Sequence, residues 1–163
     1  MKKITQLFVL CLVVLSACQP QTQPVDFAAE ESAVKEVLDQ IVAAGREPSA
    51  EKLLALFSED IVSIGTDPTE FWTAQEVRDM FNQMLTQPVE LKMVGEPVVK
   101  IAPDGHSAFA SHEYYMPMFS EKILFRNGYS LYKTEGKWKI FAINSGCILK
   151  NEDLPKIDEV VSE

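Results

Sequence analysis

His112, Glu113 and Tyr114 are consecutive residues whose types suit proton chemistry. An imidazole or a carboxylate can shuttle a proton, and a phenol can donate a hydrogen bond to a carbonyl. The surrounding residues read as a strand. Alternation then sets Ala108, Ala110, His112, Tyr114, Met116 and Met118 on one face and Phe109, Ser111, Glu113, Tyr115 and Phe119 on the other. If the first face lines a concavity, His112 and Tyr114 form an acid/base and hydrogen-bond pair above a floor of methionine. If the second does, Glu113 is the titratable group. The alternative to both is a histidine satisfied by a backbone or side-chain partner, or simply exposed. Metal and cofactor chemistry lack their residues: two His, no Cys pair at ligand spacing and no glycine-rich phosphate loop predict no metal and no cofactor. With 15 Lys+Arg against 24 Asp+Glu and no basic cluster after Lys2 and Lys3, nucleic acid is not an expected partner.

The elements that must position these side chains follow from hydrophobic period and turn residues. Asp26 caps a helix over about 27–44 with Val34, Leu38, Ile41 and Val42 on one stripe. Ser49 opens a second, shorter helix in which Leu53, Leu54, Leu56 and Phe57 form the buried stripe, ending by Glu59 or Asp60. A short strand at Ile61–Ile64 leads to the Gly65–Pro68 turn. Thr73-Ala74-Gln75-Glu76 is a capping box that starts a third helix, with Val77, Met80, Phe81, Met84 and Leu85 as a core stripe. Four strands at about 89–101, 107–119, 123–134 and 137–147, joined by hairpin turns, make an antiparallel meander. The order is α+β: three N-terminal helices packed on the concave side of a curved antiparallel sheet of about five strands. A concavity between helix and sheet is where function is expected.

The first residues carry an address. Lys2 and Lys3 precede an apolar run from Leu7 to Leu15, too short for a spanning helix, and then Leu15-Ser16-Ala17-Cys18. Those four residues resemble the lipobox of bacterial lipoproteins. The resemblance implies a signal peptide at 1–17, acylation of Cys18 and attachment to a lipid bilayer, with 18–25 as tether, 26–149 as the folded domain and 150–163 as an acidic tail. Gln19, where an Asp would favour inner-membrane retention, points to the outer membrane facing the periplasm. Once Cys11 is removed and Cys18 lipidated, Cys147 is the remaining thiol, expected to be buried as a small hydrophobe.

Phe57-Ser58-Glu59-Asp60, the Ile64–Trp72 segment and Gly136-Lys137-Trp138-Lys139-Ile140 resemble the SnoaL-like branch of the nuclear transport factor 2-like (NTF2-like) superfamily. The resemblance covers about 27–148 and implies a cone-shaped fold that hosts isomerases, dehydratases, cyclases and non-enzymatic binders. It aligns Asp60 with a common family acid, sets Trp72 at one end of the cone, and gives Arg126 the option of clamping a carboxylate or pairing with Glu113. Many relatives carry a His and a Ser two residues apart on the last strand. Alternate counting from Trp138 through Ile140 and Ala142 puts Asn144 and Gly146 there, and Asn cannot act as a base. The expected pocket residues are therefore Trp72, His112, Tyr114, Arg126, Trp138 and Asn144. The leading expectation is a binder of a small apolar molecule or a protein partner. The alternatives are a cofactor-independent isomerase, dehydratase or cyclase, and a homodimer joined through the outer sheet face.

Overall fold

The computed structural model describes residues 24–47 and 49–161, so the expected signal peptide and Cys18 lie outside the described residues. The chain runs α1 (Phe27–Arg46), α2 (Ala50–Leu54), β1 (Phe57–Ile64), β2 (Phe71–Trp72), α3 (Ala74–Met84), β3 (Lys92–Ile101), β4 (Ser107–Met116), β5 (Ser120–Thr134) and β6 (Lys137–Ile148). A 3-10 turn at Asn151–Asp153 and helix α4 (Leu154–Val161) follow. No helix among the described residues is long and apolar enough to cross a membrane.

The Asp26 side chain accepts the Ala29 amide at 3.1 Å and starts α1 as its position predicts. At α3 the Glu76 carboxylate accepts the Thr73 hydroxyl (2.7 Å) and amide (2.8 Å), which hold its pKa below the ordinary value. Both helices turn their apolar stripes to the sheet, burying Val34, Val37 and Leu38 from α1 and Val77 from α3.

The sheet has six strands in the order β2-β1-β6-β5-β4-β3, not about five, and it is mixed. The meander β3 to β6 is antiparallel as expected, but β1 lies parallel to β6. That pairing explains the second correction. The stripe Leu53, Leu54, Phe57 reads as helix, yet the helix stops at Leu54 because the Leu56 carbonyl accepts the Ile140 amide at 3.0 Å and Phe57 pairs with Ile140. Tertiary pairing overrides local period. Between Phe57 and Val62 the register slips, and the extra residues include Glu59 and Asp60, both exposed. Asp60 therefore sits in a bulged strand and caps no helix.

Ile61, Leu131, Ile140, Val34 and Val77 are fully buried and form the solid core between sheet and helices. Trp138 belongs to it. Its indole N–H donates to Glu30 of α1 at 3.0 Å, and Lys133 donates to the same carboxylate at 2.5 Å. These bonds, Lys133 first, hold Glu30 below the usual carboxylate range. The outer sheet face leaves Val98, Phe109 and Phe141 exposed, with Tyr132 and Phe141 rings 5.6 Å apart.

Candidate functional site

Beyond the solid core the sheet curves away from the helices and leaves a cavity of about 690 Å³. Its walls come from alternate residues of β4 to β6, from β1 and β2, and from the apolar stripe of α3. On β5 the inward set is Phe125, Asn127, Tyr129 and Leu131: Leu131 ends in the core, and the first three line the cavity. On β4 the inward face is the even-numbered one, carrying Ala110, Tyr114 and Met116. Met80, Phe81, Met84 and Leu85 of α3 form the opposite wall, and Phe81 lies against Phe57 with ring centroids 5.5 Å apart.

One polar assembly interrupts this apolar lining. The Tyr114 hydroxyl donates to Asn127 Oδ1 at 3.0 Å, and Asn127 Nδ2 donates to the Tyr129 hydroxyl oxygen at 3.0 Å. Phe125 stacks on Tyr114 with ring centroids 5.8 Å apart. Burial pushes the Tyr114 hydroxyl well above its ordinary value and the Tyr129 hydroxyl up to about 12. Both stay protonated at neutral pH, so they serve as hydrogen-bond donors and not as bases. Ser63 and Ser145 add hydroxyl-bearing side chains to the wall.

The rim on the β1–β2 side is built by the turn 65–70. Glu70 folds back so that its Oε2 accepts the amides of Thr66 (2.8 Å) and Asp67 (3.0 Å), while its carbonyl accepts the Gly65 amide (2.8 Å). The Glu70 side chain lies directly over Gly65, where an added Cβ would stand 2.1 Å from Oε2; only glycine leaves that space. Asp67 accepts the Thr69 hydroxyl (2.6 Å) and amide (2.8 Å), which hold its carboxyl below the usual range. The turn delivers Trp72, paired with Ser63 across β1 and β2, to the cavity wall.

Of the six expected pocket residues, Trp72 and Tyr114 line the cavity and four do not. His112 lies opposite a slip in β3 between Val94 and Val98, and its Nε2 is 3.2 Å from the Gly95 carbonyl oxygen, outside the lining. Glu113 is on the outer face. Arg126, opposite it in register, donates through Nε at 3.0 Å, so the pair is cross-strand and clamps nothing in the cavity. Trp138 is occupied in the core with Glu30.

Asn144 is displaced by one residue of phase. The β5–β6 register slips between Ser130 and Leu131, with Phe141 as the extra residue of β6, so the inward positions become Ile143 and Ser145 while Asn144 is exposed. A bulge reverses the faces counted by strict alternation. Cys147 is exposed, not buried, standing one residue from the end of β6. Asn127 and Tyr129 were not singled out by the sequence reading. Their signal is the alternation Phe125, Asn127, Tyr129, Leu131, in which a single amide stands among apolar and aromatic residues.

Comparisons with known proteins agree with this architecture. A model of the SnoaL-like domain matches residues 34–145. No curated protein matches in sequence. An NTF2-like protein of Pseudomonas putida is 17% identical with a TM-score of 0.64, covering 77% of this chain and 91% of its own. A cystatin-like fold protein of Burkholderia xenovorans is 20% identical (TM-score 0.63; 77% of this chain, 96% of that one). A cystatin-like domain from Nostoc punctiforme is also 20% identical (TM-score 0.64; 83% and 87%). Matched over most of its described length by that family model, the chain belongs to the SnoaL-like domain family, and its fold is that of these NTF2-like and cystatin-like structures.

Proposed function

We propose that the domain holds a small, largely apolar molecule in its cavity, and that it does so as a lipoprotein tethered through acylated Cys18 on the periplasmic face of the outer membrane. The carrying observation is the cavity itself: about 690 Å³, walled by Phe57, Trp72, Phe81, Met84 and Met116, within the range of small-molecule sites. The tether rests on the Leu15-Ser16-Ala17-Cys18 motif. The isomerase, dehydratase or cyclase alternative needs a base against the substrate. Glu70 is the carboxylate among the lining residues, and its Oε2 already accepts two backbone amides.

Titration of the purified protein with the neutral, apolar dye Nile red tests the binding reading. Saturable fluorescence enhancement is expected, and Ile143→Trp, which fills the cavity from β6, should abolish it. Binding that is absent, or that survives the filled variant, would overturn the proposal.

A further inference from the structure

The hydrogen bonds inside the cavity have a direction, and the direction selects a ligand. Tyr114 spends its proton on Asn127 Oδ1, and Asn127 spends an Nδ2 proton on the Tyr129 oxygen. Among the described residues neither the Tyr129 proton nor the second Nδ2 proton of Asn127 beside it has an acceptor, and Tyr129 is only 6% exposed. A hydroxyl proton buried without an acceptor costs free energy until something accepts it. Charge points the same way. Among the described residues no Lys, Arg or His lines the cavity, and Glu70 does, so a carboxylate or phosphate entering it would be desolvated with no cation among them to meet it.

Depth fixes the orientation. Along β5 from the hairpin tip, the inward residues run Phe125, Asn127, Tyr129 and then the core residue Leu131, so the unspent Tyr129 proton lies on the core side of the cavity. At the opposite end Met118 and Phe119 also line the cavity, yet are 51% and 67% exposed. From these observations we infer that the ligand is uncharged and enters acceptor-first, seating a carbonyl or ether oxygen on the Tyr129 hydroxyl and leaving its hydrocarbon body toward the Met118–Phe119 rim.

This inference rests on the cavity being a binding site, and the test separates the two. Three ligands of one shape, 2-acetonaphthone, 2-ethylnaphthalene and 2-naphthoate, compete with Nile red at pH 7. The ketone is expected to bind roughly three- to tenfold tighter than the ethyl analogue, the range of one net hydrogen bond, and the naphthoate more weakly than either. Tyr129→Phe should equalise ketone and ethyl analogue while keeping the latter's affinity. As a check needing no variant, the infrared carbonyl stretch of bound 2-acetonaphthone should move to lower frequency than in hexane. Equal affinities of ketone and ethyl analogue, preferred binding of naphthoate, or an unshifted stretch would overturn the inference while leaving the binding proposal standing. Failure of Nile red to bind would overturn both.

Discussion

At one end of the sheet Leu131 and Ile140 meet Ile61 and Val34 with none of the four exposed, whereas one inward position along β5, at Tyr129, the same surface faces open space. The same two strands and one set of helices produce a solid end and a hollow end. Long α1 and the Glu30 carboxylate, which holds Lys133 and Trp138, draw the β5–β6 hairpin onto the helices at the first. At the second, the wall opposite the sheet is the shorter α3 and a turn, and the curving strands leave it behind. Stability and binding capacity are thus assigned to different residues of the same strands.

The largest test of that division is truncation. Ile140→Ala, at a fully buried site, should cost about 2–5 kcal/mol by urea unfolding. Met84→Ala, which only widens an existing cavity, should cost less than half as much; equal losses would mean that the hollow end is packed in solution. A second test uses pH. Glu30 has a lowered folded-state pKa, so its contribution is present above its unfolded value near 4.5 and lost as pH falls through the folded one. Tyr129 has a raised value, so its contribution is intact below about 10 and lost as pH rises toward about 12. Urea midpoints should therefore show an acid loss reduced by Glu30→Gln, the rest belonging to carboxylates such as Asp67 and Glu76, and an alkaline loss reduced by Tyr129→Phe, the rest belonging to Tyr114. If either variant flattened the other's limb, the two ends would not be separable. The smallest effect belongs to neither end: Arg126→Ala removes an exposed cross-strand pair, and a change of at most about 1 kcal/mol is expected, with Nile red affinity unaltered.

What the sequence discloses follows the same line. The first and third helices and the order of the meander are legible because caps and hairpin residues act locally; Trp72 follows from the family resemblance, and Tyr114 from alternation within one uninterrupted element once the inward face is known. Parity failed where a partner strand intervened. Asn144 was counted inward across Phe141, and the extent of β1 was hidden because its pairing with Ile140 is made more than 80 residues away. Arg126 illustrates a different limit, since one residue type serves a carboxylate in a cavity or a glutamate across a sheet equally well, and only register decides. Asn127 needed knowledge of which face was inward, a fact carried by the neighbouring strands and not by its own.

The extra residue at Phe141 works like a gear tooth between the two halves of β6. Upstream of it the strand is keyed to the core; downstream, the same alternation is read half a period later. Deleting that one tooth would join Leu131–Ile140, Ser130–Ala142 and Tyr129–Ile143 into one continuous ladder, with Trp138, Ile140, Ile143 and Ser145 all keeping their inward seats. A single codon lost there would straighten the strand and leave the lining residues as they are, so the tooth governs the bend of the wall and not its composition.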